Sequence, residues 1–170
     1  CYMLPLSLSL AVSIEIGTAI GKKKISRAKR ITFSTYLFSF LCMTIIAVFL
    51  WAGRNQIPLL FIDSQEVLSI AAPLLVITAL FQLFDGTQAV AIGVLRGMLD
   101  TRIPAILTFI SYWIVSLPLS WFLAFAMDFS LPGLWYGLLT GLLCSAILLN
   151  IRIWRLFKNP EKLVLSLIHI

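Results

Sequence analysis

Charge is scarce in this chain: only 12% of its 170 residues are Asp, Glu, Lys or Arg, while 61% are apolar. A soluble globular domain carries roughly 45–50% apolar residues, so that class is excluded. Histidine occurs once, at His169, and Cys1, Cys42 and Cys144 lie far apart. No paired spacing for a metal or redox centre results, and the cysteines read as small apolar helix residues. G-x-S-x-G and phosphate-loop patterns are missing, as is any nucleophile–base or metal pair of the kind an intramembrane hydrolase needs. Nothing makes a case for an enzyme.

What the chain does have is long apolar runs. Five are long enough to span a bilayer, which takes roughly 20 residues: Cys1–Gly21, Ile31–Gly53, Val67–Leu95, Ile103–Met127 and Leu134–Ile151. The net charge of +6 is unevenly placed. Lys22, Lys23, Lys24, Arg27, Lys29 and Arg30 fall in the first loop, and Arg96 and Arg102 in the third. Arg152, Arg155, Lys158 and Lys162 follow the last span, so twelve of thirteen basic residues share one side and Arg54 alone lies on the other. The positive-inside rule makes the crowded side cytoplasmic, with the chain starting outside and ending inside. Asp63, Glu66 and Asp128 sit in the sparse outer loops. The basic run Lys22–Arg30 reads as an orientation signal touching anionic lipid headgroups. That reading is favoured over an RNA-binding patch, because no aromatics are interleaved for stacking on single strands.

The ends read as those of a fragment. Cys1 starts directly in apolar sequence, without an initiator Met or a basic n-region, and so is not a signal peptide. Residues 159–170 read as a cytoplasmic tail, and its Leu163–Ile170 end resembles translated sequencing-adapter sequence. His169 lies there and receives no functional weight.

Asp85 stands in the middle of the third run. A carboxylate at that depth costs at least about 2.5 kcal/mol on insertion scales and tends to face a bundle interior. Gln82, Gln88 and Thr78 fall on the same helical stripe, which makes a polar seam. The seam serves either as a hydrogen-bond network between helices or as a place that binds and carries an ion. Gly93 with Gly97, and Gly137 with Gly141, have the G-x-x-x-G spacing of close helix packing in lipid. Gly86, next to Asp85, is expected to leave space for an ion or a helix bend. Pro118, deep in the fourth run, predicts a kink, whether static or a hinge. Glu15, the second intramembrane acid, is expected to snorkel or to pair with Lys22 or Lys23.

Phe81-Gln82-Leu83-Phe84-Asp85-Gly86-Thr87-Gln88, then Gly93-Val94-Leu95-Arg96-Gly97 and Asp100-Thr101-Arg102-Ile103-Pro104, resemble the Q-x-x-D-x-x-Q…G-x-L-R-G…D-T…P block of MATE (multidrug and toxic compound extrusion) transporters. Ser111-Tyr112-Trp113, Leu117-Pro118 and Gly133-Leu134-Trp135-Tyr136-Gly137 fit the same pattern, as does Leu4-Pro5 with Gly17 and Gly21. The resemblance runs from about Leu4 to Phe157. It implies an all-α polytopic membrane bundle, with residues 1–158 supplying the eighth to twelfth helices of a twelve-helix protein and most of its second lobe. Asp85 matches the aspartate associated with cation binding in the bacterial sodium-coupled branch. Phe81 falls where that branch can carry a cation-contacting tyrosine, so the missing oxygen changes coordination or leaves an aromatic contact. Gln82 and Gln88 border the same site. Glu15 falls where some relatives have a basic residue, and Glu15, Tyr112 and Trp113 are candidates for a substrate path.

The resulting expectation is a bacterial inner-membrane antiporter expelling organic, often cationic, compounds in exchange for Na⁺ or H⁺, with the N-terminal lobe as partner. One alternative is a flippase for lipid-linked precursors or polysaccharides. It predicts basic residues within the spans, where this chain has acids. The other is a structural membrane subunit without transport.

Overall fold

In lipid every backbone N–H and C=O has to be satisfied inside the protein, which leaves helices for a chain of this composition. The computed structural model describes residues 3–58, 65–127 and 129–159, and among them there is no strand. Helices α1 (Met3–Gly21), α2 (Ile25–Ala52) and α3 (Gln65–Gly97) come first. The fourth span, Arg102–Ala126, is composite. It runs as α4 (Arg102–Phe109), a π-helical stretch Ile110–Ser116, α5 (Leu117–Trp121) and a second π stretch Phe122–Ala126. Helix α6 (Ser130–Lys158) closes the described part. Five helices are long and apolar enough to cross a membrane, in the expected number and order. Cys1, the side chains of Asp63, Glu66 and Asp128, and residues 160–170 with His169 lie outside the described residues.

Two boundaries differ from expectation. The first basic segment is not a loop, since α2 starts at Ile25 and carries Arg27, Lys29 and Arg30 on its opening turns. The connection is this tight because α1 ends in a Schellman cap. Lys23 adopts a positive φ of 55°, while its N–H reaches the Ile20 carbonyl at 2.8 Å and that of Lys24 reaches Ala19 at 2.9 Å. Helix α3 ends the same way: Leu99 has φ 60°, and the N–H groups of Leu99 and Asp100 bond Arg96 and Leu95, each at 3.0 Å. Glycine usually takes the left-handed position, so a lysine and a leucine there hide both turns from a sequence reader. The last helix also outruns its expected end at Ile151. Arg155 and Lys158 stand in its final turn, where cations complement the helix dipole.

Helix α3 is the hub, packing against α1, α2 and α6. Its glycines set the approach to α1: a Cβ at Gly97 would lie 2.6 Å from the Ser13 carbonyl oxygen, and one at Gly93 would run into Ser9. Helix α6 meets the fourth span through Gly137 against Ser120 and Gly141 against Ser116. Below these contacts Ile16, Val94, Leu95 and Leu149 form an apolar core at the end carrying the two Schellman turns. There the Arg152 Nε donates to Asp100 Oδ2 at 2.8 Å, tying the α3–α4 turn to α6. Only 11% of the membrane-spanning window of α2 is buried, and Phe33, Phe38, Ile45 and Phe49 are exposed on its outer face.

The charge partition predicts that the Ser26 end is cytoplasmic and the Asn55 end periplasmic. Single cysteines at these exposed positions, in a background lacking the native cysteines, should label oppositely with an impermeant thiol reagent on intact cells. Position 55 should react and position 26 should not; the reverse pattern would invert the topology.

Candidate ion-coupling site

The polar stripe of α3 divides in the structure. Gln88 is 7% exposed, donates from Nε2 to Ser145 Oγ on α6 at 3.0 Å, and accepts at Oε1 from the Tyr112 hydroxyl at 3.0 Å. It therefore bridges α3, the fourth span and α6. Thr78 turns its hydroxyl back to the Leu74 carbonyl at 2.8 Å, the usual local bond for a helical threonine. Between these satisfied ends, Gln82 and Asp85 lie one turn apart on one face. Gln82 Oε1 is buried without a hydrogen-bond partner among the described residues. Among the described residues no donor or cation meets the partly buried Asp85 carboxylate. Two hard oxygen donors, one of them charged, suit Na⁺, or the carboxylate alone a proton. No cluster of three His, Cys, Asp or Glu exists among the described residues to favour a transition metal.

The surrounding residues distribute differently from expectation. Phe81 packs edge-to-face on Trp135 of α6, with ring centres 5.6 Å apart. The space expected beside Gly86 is filled by α2: an added Cβ would be 2.6 Å from Met43 Cγ and 2.9 Å from Ser39 Oγ. Gly86 thus serves close packing, being too crowded to hold an ion. Tyr112 joins the seam, whereas Trp113 is 61% exposed and stacks on Phe109 at 5.7 Å. Successive helical residues point in different directions, so only Tyr112 meets Gln88 here. Glu15 pairs with Arg27 at 3.8 Å rather than with Lys22 or Lys23, and both side chains are more than half exposed. The early start of α2 brings Arg27 within reach. Such an exposed pair contributes about 0–1 kcal/mol and lies apart from the buried seam.

Pro118 is the second residue of α5, directly behind the π stretch. The Leu117 N–H reaches the Tyr112 carbonyl, five residues back. A proline ring clashes with the carbonyl four residues before it, and the wider turn relieves that clash. It also shifts register by one residue, which places Ser111 and Ser116 together against Gly141. Ser145, the partner of Gln88, continues the four-residue series Gly133, Gly137, Gly141. That spacing is the signal by which sequence alone would have found it.

Gln88→Ala removes both bridging bonds and leaves a void, so it should lower stability by about 2–4 kcal/mol. Ser145→Ala loses one intramembrane hydrogen bond, worth about 0.6 kcal/mol. Melting curves of the purified variants in detergent test this ranking, and equal shifts would remove Gln88 as the bridge.

The MatE family profile matches residues 1–122. The chain is 37% identical over 163 residues to the "Probable multidrug resistance protein NorM" of Xylella fastidiosa, covering 96% of this chain and 34% of that protein. It is 36% identical over 170 residues to the "Multidrug resistance protein MdtK" of Yersinia pseudotuberculosis, covering 97% of this chain and 37% of that protein. It thus spans about a third of the length of these curated relatives. In fold it is similar to the eukaryotic MATE transporter AtDTX14, with a TM-score of 0.84 at 24% identity over 95% of this chain and 38% of the other.

Proposed function

The chain belongs to the MATE family, and on that footing we propose that it forms most of the second lobe of an inner-membrane antiporter. This antiporter expels organic, often cationic, compounds as Na⁺ or H⁺ flows inward. Support for drug export comes from relatives named as multidrug resistance proteins. The single observation carrying the coupling role is the Asp85 carboxylate, held mid-span beside the unpartnered Gln82 oxygen. An ionised carboxylate in the hydrocarbon region is costly, and an arriving Na⁺ or H⁺ cancels its charge. Ion occupancy then favours whichever arrangement of the two lobes buries the neutralised seam. A ligand shifts such an equilibrium only by its difference in affinity for the two states. Alternating access follows when the lobes rock about this site. Tyr112, bonded to Gln88, links the seam to the proline-interrupted fourth span, where such motion has a soft point.

The test is transport of a fluorescent organic cation in proteoliposomes holding the full-length protein, with a Na⁺ or a pH gradient imposed separately. Movement driven by one gradient supports antiport and names the ion. Absence of movement under both gradients defeats the proposal.

A further inference from the structure

We propose that the cytoplasmic rim between α2 and α6 is a binding site for the phosphate headgroup of an anionic phospholipid. Lys29 and Lys158 take the phosphate, and Trp154 lies against the glycerol–acyl junction. A cavity of about 480 Å³ opens there, lined by Lys29, Trp154, Phe157 and Lys158. That volume lies within the range of small-molecule sites.

The two ammonium groups are held by aromatic rings. Lys29 Nζ lies 5.9 Å from the Phe157 ring centre, and Lys158 Nζ lies 5.0 Å from the Trp154 ring centre. Among the described residues neither meets a carboxylate: Glu15 is engaged by Arg27, Asp100 by Arg152, and Asp85 is far up α3. Two cations on separate helices therefore flank one cavity, with no counter-anion beside them among the described residues. Trp154 is 62% exposed, and indole favours the headgroup level, where one edge is wet and the ring is apolar. A basic pocket between membrane helices on the cytoplasmic side fits an anionic lipid headgroup. Free phosphate satisfies the lysines but leaves the aromatic wall unused, which favours the lipid. This site differs from the diffuse charge of Lys22, Lys23 and Lys24, whose side chains are exposed and line no part of this cavity.

A phosphate held by both lysines joins the first turns of α2 to the last turn of α6, so binding raises the melting temperature. The experiment uses the delipidated full-length protein in neutral detergent, titrated with short-chain phosphatidylglycerol, phosphatidylcholine or inorganic phosphate. A saturable rise is expected with phosphatidylglycerol alone. The double variant Lys29→Gln/Lys158→Gln should raise the half-saturating concentration at least about tenfold, because two charge-assisted contacts are lost. Lys29→Arg/Lys158→Arg should retain binding, and Lys22→Gln/Lys23→Gln should leave it unchanged. An equal response to phosphatidylcholine, an equal rise with inorganic phosphate, or an equal loss in the Lys22/Lys23 variant would each overturn the assignment.

Discussion

Asp85→Asn in the full-length protein should reduce gradient-driven efflux to background while expression and melting temperature stay close to wild type. Asn keeps the size and the hydrogen-bonding capacity of the side chain but not its charge. A hydrogen-bond network could accept the amide, and among the described residues Asp85 has no donor to lose. A cation site cannot, because contacts to a charged group contribute roughly 1.5–3 kcal/mol, or about ten- to a hundredfold in ion affinity. Efflux from loaded vesicles under an imposed Na⁺ or H⁺ gradient, at matched protein levels, is the measurement. Wild-type efflux by the Asn variant would make Asp85 a packing residue and move the coupling site to another part of the protein.

Gly137→Leu should prevent α6 from seating on the fourth span. A Cβ at Gly137 already collides with Ser120, whose backbone nitrogen is 2.5 Å away. The neighbouring bonds from Ser116 Oγ to the Gly137 carbonyl at 3.0 Å and from Ser120 Oγ to the Leu134 carbonyl at 3.3 Å would separate with it. Lipid supplies no hydrophobic force to press helices together, so close packing of small residues is what holds this pair. Overpacking of about 3 kcal/mol corresponds to a fall of roughly 6–12 °C in melting temperature for a unit of this size. Gly21→Ala is the control, since nothing lies within 4 Å of the added Cβ. A Gly137→Leu variant melting within about 2 °C of wild type would refute this account of the interface.

The glycine series and the Gln88 position were readable because lipid imposes helices, and a helix fixes which residues share a face. Side-chain direction was less readable. Tyr112 and Trp113 are adjacent in sequence, yet only Tyr112 reaches Gln88; Pro118 signals a kink in this span but does not tell which of the two meets the seam. Gly86 reads equally as open space or as a contact until α2 is in place with Met43 and Ser39 against it. The Glu15–Arg27 pair was hidden by a Schellman turn that uses Lys23 where glycine is usual.

Sequence alone determined the membrane class and the five spans, because each follows from local apolar length, and it placed an acid, Asp85, within the third span; its charge asymmetry sets the expected orientation. Tertiary structure alone decided which polar groups are satisfied. Gln88 finds Ser145 and Tyr112 at separations of 57 and 24 residues, whereas Gln82 Oε1 and the Asp85 carboxylate, on the same stripe, find no partner among the described residues. Partners that far along the chain meet only when helices pack, and packing depends on where glycines allow close approach and where a proline forces a wider turn.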